Sequence, residues 1–280
     1  MEEINMKILD KIESIEKYLP KPIKHMLRPV YAKITKRGEL KIDKELLRDI
    51  VEFHNETNKF KITYEEGVML CKLGKKLMAD LWNIMGPKTG DEIKKYYEIV
   101  PYSLFELVYA HGTPWYRKVV INEILEYSSG EALDYGGGVG QLSLMLVKKG
   151  LNVTYVDVQS INMKFAKWLF KKYGCYIKVL DAEKDQQVIW RNSYDTILCI
   201  AAIEHILDPK DVLEKMSVSL RNNGRLIITN LENAEPTAEF PFHLKIPFDA
   251  KKLLNSYGIF NIDNHVWIKS SNKELSPKYK

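Results

Sequence analysis

Two patterns of apolar residues divide the chain. In the first 125 residues they recur at spacings of three and four. Ile4, Ile8, Ile12, Ile15 and Leu19 share one face of a helix over residues 2–19, which Pro20 and Pro22 end. A second helix is expected over 25–34. Asp43 opens a third, with Leu46, Leu47, Ile50, Val51 and His54 along one face. Thr63 and Glu66 have capping-box spacing ahead of a helix carrying Val68, Met69, Leu73, Leu77 and Leu81 to Met85, where Gly86-Pro87 stops it. Further helices are expected over 90–99, 102–110 and 115–127.

From residue 130 the period changes. Short β-rich runs at 132–135, 153–158, 176–180, 196–200, 225–230 and 260–269 alternate with helical segments at 141–149, 161–173, 211–220 and 249–257. This alternation predicts an α/β fold: a doubly wound, mostly parallel sheet with helices on both faces. The chain then divides into a helical substrate or lid domain, 1–125, and a sheet domain, 126–280. Such sheets bind ligands at the carboxyl ends of their strands, near the point where strand order reverses. The turn after the first strand is therefore the place to look.

Composition narrows the class. At 280 residues, with 45% hydrophobic and 28% charged positions, the chain can bury a core and is not a disordered protein. No run approaches the roughly 18 apolar residues of a membrane helix. The N-terminus, acidic and then amphipathic, does not read as a signal peptide. Cys71, Cys175 and Cys199 are far apart, which argues against a disulfide framework or a cysteine metal site and for the reducing cytoplasm. The net charge of +5 is small. Its one concentration is nine Lys/Arg in residues 17–44 against Glu39 and Asp43, which reads as a solvated helical face before a phosphate-binding one.

The turn after the first strand reads Leu133-Asp134-Tyr135-Gly136-Gly137-Gly138-Val139-Gly140-Gln141. Its glycines lie between a strand and a helix N-terminus, where a ligand can rest against backbone. A triphosphate-clamping loop would need a following Gly-Lys-Ser/Thr, which is missing. A dinucleotide turn would place its third glycine one position later. Asp134 would repel a pyrophosphate but attract an ammonium group, directly or through water. Asp157 ends the second strand, where a carboxylate can accept from both hydroxyls of a ribose. Asp181 ends the third and could meet an exocyclic amine. Ammonium, ribose and adenine amine together describe S-adenosylmethionine.

Residues 130–269 resemble a class I S-adenosylmethionine-dependent methyltransferase of the ubiquinone-biosynthesis-like group. The resemblance rests on Asp134, Gly136, Gly138 and Gly140, on Asp157, on Asp181-Ala182, and on Tyr194 through Pro209 with its Glu204-His205 and Asp208-Pro209. Leu213 through Thr229 continues it. The resemblance implies a seven-stranded sheet with an antiparallel last strand. It also implies that Gly136, Gly137, Gly138 and Gly140 surround the methionine part of the donor. Asp157 and Val158 would lie at the ribose, Asp181 and Ala182 at the adenine, and Ile200 and Ala201 near the sulfonium. A nucleophilic cysteine, as in C5-pyrimidine methylation, would need a proline where Leu198 precedes Cys199. The Asn/Asp-Pro-Pro-aromatic signature of adenine-amino methylation is absent as well.

The acceptor must be chosen elsewhere. The helix before the first strand often forms a lid in this family, which makes Tyr109, His111, Trp115 and Tyr116 the candidate acceptor-side residues. His205 and His243 fall on loops at the same sheet edge. His243, held between Pro241 and Pro247, is the better candidate for a general base, with the rate then falling below about pH 6.5, and the competing reading makes it a loop-packing residue; His205 is expected to brace the cofactor loop. No i, i+4 histidine pair supports a metal, and none is expected. The expected reaction is methyl transfer to an oxygen or nitrogen of a small-molecule acceptor. The alternatives are methylation of RNA or protein, with residues 17–44 as docking surface, and an inactive binding protein.

Overall fold

The computed structural model describes residues 42–271, apart from 101, 192, 233 and 234. The helices expected over 2–19 and 25–34, and most of the basic segment, lie outside the described residues.

The helical region follows its capping signals. α1 spans Lys44–Thr57, and its N-cap Asp43 accepts from the amides of Glu45 and Leu46. α2 spans Tyr64–Met85, with the Thr63/Glu66 capping box formed and Gly86 ending it in the left-handed region. α3 covers Gly90–Ile99 under a second box, Thr89/Glu92, and α4 covers Ser103–Gly112. The helix expected over 115–127 divides: a π-helical turn, Tyr116–Val120, precedes α5, Ile121–Tyr127. Side-chain period alone does not reveal such a widened turn, which is a frequent feature of functional sites.

The sheet contains β1 (Glu131–Tyr135), β2 (Asn152–Asp157), β3 (Lys178–Asp181), β4 (Tyr194–Cys199), β5 (Leu220–Ile228), β6 (Ile259–Asp263) and β7 (Val266–Lys269). Between them lie α6 (Gln141–Lys148), α7 (Ile161–Lys172), α8 (Gln186–Arg191), α9 (Pro209–Ser219) and α10 (Ala250–Ser256). Strand order is β3-β2-β1-β4-β5-β7-β6, and β7 runs antiparallel to both of its neighbours, while β1 to β5 pair in parallel. The single strand expected over 260–269 is thus a hairpin, turning at Asn264-His265. α8 was not predicted, and Tyr176, taken as strand, is 94% exposed outside β3.

Alternation along each strand separates two cores. Ala132, Tyr155, Leu198, Ile227 and Val266 face α6, α7 and the helical region in one continuous cluster with Leu47, Ile50 and Phe53 of α1. Leu133, Val156, Ile197, Cys199 and Leu226 face α9 and α10. Cys199 is fully buried, and burial pushes its thiol well above its ordinary range, as befits a core residue. No helix among the described residues is long and apolar enough to cross a membrane. β1 lies between β2 and β4, so the connections leaving β1 and β4 diverge and open a crevice at their carboxyl ends.

Candidate active site

A cavity of about 600 Å³ occupies that crevice, within the range of small-molecule sites. Its floor is the turn after β1. Gly136 and Gly137 donate to the Val156 carbonyl at 2.8 and 3.0 Å, which holds the turn against the end of β2. Gly138 donates to Asp157 Oδ2 at 2.7 Å, and the Tyr155 hydroxyl donates to the Gly138 carbonyl at 2.7 Å.

The glycines of this turn serve different ends. Gly138 has φ +53° and lines the cavity, and a Cβ there would meet Leu107 Cδ1 at 3.5 Å and the Gly136 carbonyl at 4.0 Å, both ordinary contacts. Gly140 has φ +73°, and its Cβ would strike the Phe170 ring at 2.7 Å and Ala166 at 2.9 Å. It is a packing glycine outside the cavity wall. Gly136 and Gly137 line the wall, but their added Cβ atoms would enter Ala202 and Tyr155. Bare backbone thus faces the cavity chiefly at Gly138. Ala201, after β4, also has positive φ, +49°, and its amide donates to Thr229 Oγ1 at 2.7 Å. Such strain in a non-glycine residue belongs to sites where structure over-determines the backbone.

Asp134 and Asp157 both line the cavity. Asp134 is 1% exposed and accepts from Ser143 Oγ at 2.6 Å. Burial raises its carboxyl to about 6, against that hydrogen bond. Asp157 is likewise raised to about 6 by burial, although the amides of Gly138 and Val158 each donate to it at 2.7 Å. Desolvated carboxyls of this kind favour a ligand that brings positive charge or hydroxyl donors. Val158, Ala182, Ile200 and Ala201 line the same wall. Asp181 does not. One of its oxygens accepts from the Glu183 and Lys184 amides, and these, with the Gln159 side chain and the charge of Lys184, outweigh burial and hold its carboxyl below the ordinary value.

Across the cavity stands α4 with the π-helical turn. Tyr109, His111, Trp115 and Tyr116 all reach it. His111 and Tyr116 stack at 4.2 Å, 8° from parallel. Gln141 ties this roof to the rest: its amide nitrogen donates to Asp43 Oδ2 at 2.9 Å, and its oxygen accepts from His111 Nδ1 at 2.8 Å. Burial lowers His111 to about 4, so its ring is neutral at pH 7. The buried Tyr116 hydroxyl has no hydrogen-bond partner among the described residues.

Several lining groups were missed in the sequence. Glu106 of α4 reaches the cavity, and burial raises its carboxyl to about 7 despite the charge of Lys75. Lys75 of α2 lies 3.8 Å over the Phe240 ring and pairs with Glu239. The available signal was a single acid inside the apolar run Leu104-Phe105-Glu106-Leu107-Val108.

The histidines need correction. His205 lines the cavity, but His243 lies behind the wall, stacked on Phe240 at 4.7 Å and 9°. Its expected titration near 6.5 is also displaced. Burial, aided by neighbouring His205, lowers it to about 4, and burial lowers His205 to about 4 as well.

Residues 133–226 match the protein family described as a methyltransferase domain. Over this segment, about a third of its length, the chain is similar to methyltransferase domains. The segment runs from within β1 through most of β5, and so carries the glycine turn and the acids of the cavity floor. The roof lies outside the matched segment, as does His243. Among curated relatives, the ubiquinone biosynthesis O-methyltransferase of Xanthomonas euvesicatoria is 28% identical over 44% of this chain and 51% of its own length. That of Idiomarina loihiensis is 29% identical over 36% of this chain and 42% of its own. The chain therefore spans about half the length of the curated relatives it matches. Among solved structures, an S-adenosylmethionine-dependent methyltransferase from Clostridium acetobutylicum overlaps 39% of this chain and 46% of its own, with 22% identity and a TM-score of 0.34.

Proposed function

We propose that this protein transfers a methyl group from S-adenosylmethionine to an oxygen or nitrogen of a small, flat and largely apolar acceptor. The observation that carries the reading is the cavity itself, with desolvated carboxyls and an open glycine on one wall and aromatic rings on the other. The donor fits the floor. Asp134 suits its ammonium group, Gly138 its methionine backbone and Asp157 its ribose diol, while Ala182 and Val158 suit an adenine edge. The Tyr116 hydroxyl, which has no partner among the described residues, supplies a polar contact to the donor. When bound, the donor supplies an electrophilic methyl group on a sulfonium.

The chain's own residues then position and desolvate. Tyr109, Trp115 and Tyr116 exclude water and present flat apolar surface, which favours in-line attack. Glu106 is the cavity-lining group suited to take a proton near pH 7, since its carboxyl titrates at about 7. The naming of curated relatives as O-methyltransferases favours a hydroxyl acceptor. The helical segment serves as the lid of this reading, and the cytoplasm remains the compartment we assign.

Calorimetry with S-adenosylmethionine tests the donor, with one site per chain expected. Incubation with methyl-labelled donor and size-fractionated cell extract tests the acceptor, with label expected in the small-molecule fraction. Absence of donor binding overturns the reading. Label confined to RNA or protein replaces its acceptor.

A further inference from the structure

The loops after β4 and β5 bring together three groups that the methyl-transfer reading leaves unused. Glu204 and His205 lie on the 3₁₀ turn Ile203–His205 after β4. His243 lies on the connection after β5. The two loops are stapled where the Leu244 amide donates to the Glu204 carbonyl at 2.7 Å. One ligand atom from each of the three side chains lies within 4.8 Å of the others, and the two imidazole rings are 5.0 Å apart.

Two details show that this is more than proximity. Glu204 is 1% exposed, and Asn230 donates to its Oε1, but its buried Oε2 has no hydrogen-bond partner among the described residues. A buried carboxylate oxygen left bare is costly and calls for a positive partner. Second, the tautomer of His205 is determined by its neighbours. Tyr97 donates its only hydroxyl proton to the Phe242 carbonyl at 2.8 Å. His205 Nδ1, 2.8 Å from the same hydroxyl oxygen, must then be the donor. That leaves Nε2 unprotonated, with a lone pair. Metal-ligating histidines are oriented by this kind of relay.

We infer that Glu204, His205 and His243 form a binding site for a divalent transition metal, with Zn²⁺ the best match to two imidazoles and a carboxylate. Three protein ligands leave at least one position open. His205 also belongs to the cavity wall, so that position is within reach of the cavity. A tetrahedral ion needs ligand atoms about 3.3 Å apart, from bonds of about 2.0–2.1 Å. Closing from within 4.8 Å requires side-chain torsions of Glu204 and His243 to adjust, with no change of fold. The missing i, i+4 histidine pair is no objection, because that spacing marks sites on one helix and this one spans two loops.

The test is metal binding, independent of methyl transfer. The full chain is stripped with chelator and titrated with Zn²⁺ against a chromophoric competitor, and Co²⁺ serves as a spectroscopic probe. Wild type should take up one equivalent with a Kd below about 10 µM. Co²⁺ should give the visible bands of a low-coordinate nitrogen and oxygen site without thiolate charge transfer. Glu204→Gln, which keeps its shape and its contact with Asn230, and His243→Ala should each weaken binding by about 100-fold or more. Tyr97→Phe, which keeps all three ligands but breaks the relay, should weaken it about 10–100-fold. His265→Ala, at a distant histidine paired with Glu123, should bind like wild type. Circular dichroism confirms that each variant is folded. Less than half an equivalent bound by wild type at 10 µM free Zn²⁺ overturns the site. So does a folded His243→Ala or Glu204→Gln protein that binds like wild type.

Discussion

The floor and the roof of the cavity are built by different means. The floor hangs from backbone: amides of the β1 turn bond to the end of β2, and Asp134 and Asp157 project from the ends of strands whose pairing sets their positions. The roof hangs from side chains, through the Gln141 relay, the His111–Tyr116 stack and a buried cluster shared with α1. Backbone hydrogen bonds hold the floor with little regard to side chains, except where a positive φ or a close approach requires glycine, whereas the roof depends on which side chains it carries. The floor should therefore govern donor affinity, and the roof should govern turnover and acceptor choice.

The largest effect expected lies in the roof. Glu106→Gln should reduce turnover about 10²–10⁴-fold while leaving donor affinity nearly unchanged. The wild-type rate should fall as pH drops through about 7, where Glu106, facing Lys75 and close to Tyr96, becomes protonated. Single-turnover kinetics across pH on both proteins check this, and an acidic limb that survives in the Gln variant moves the base elsewhere.

On the floor, Asp157→Ala should weaken donor binding about 10–150-fold, the loss of contacts on the order of 1.5–3 kcal/mol. Calorimetry measures it, and an unchanged affinity would place the ribose away from β2.

Two glycines of one turn sharpen the division within the floor. Gly138→Val should weaken donor binding at least about tenfold, because its side chain enters the cavity. Gly140→Ala drives a methyl into Phe170 and Ala166 and should lower unfolding stability by about 1–3 kcal/mol. Denaturant melts set beside donor titrations separate the two; equal losses in both assays for both variants would erase the distinction.

A smaller effect concerns pH and stability. The Asp134 carboxyl is raised in the folded state to about 6, above its unfolded value. Its contribution is then greatest at low pH and is lost as pH rises through about 6. The ligand-free protein should lose stability between about pH 4 and 6 more steeply than Asp134→Asn, and S-adenosylmethionine should reduce the gap. Thermal melts at both pH values, with and without donor, are the measurement.

The smallest effect returns to the roof. Tyr116→Phe removes a buried hydroxyl that has no partner among the described residues, so it should stabilise the ligand-free chain by up to about 1 kcal/mol while weakening ligand binding. Destabilisation instead would show that the hydroxyl has a partner in solution.

The glycine turn, the acids at the ends of β1 and β2, and most helix starts were legible in the sequence. These features depend on local rules: a capping hydroxyl and a glutamate three residues apart, an alternating strand, a left-handed position that only glycine occupies easily. The β6–β7 hairpin, the π-helical turn and α8 were not legible, since each is settled by what packs against it. The place of His243 relative to the cavity was not legible for the same reason. His243 carries the right chemistry, but its distance from the cavity depends on Phe240 and His205, and its proton affinity depends on burial. Glu106 was passed over because its surroundings, remote in sequence, raise its carboxyl into the neutral range. Sequence alone determined the alternation of strand and helix from residue 130, most helix starts, and the glycine turn with the acids beside it, through interactions between near neighbours along the chain. Tertiary structure alone decided which acids are desolvated and which histidines face the cavity, because solvent exclusion is a property of the whole packed assembly.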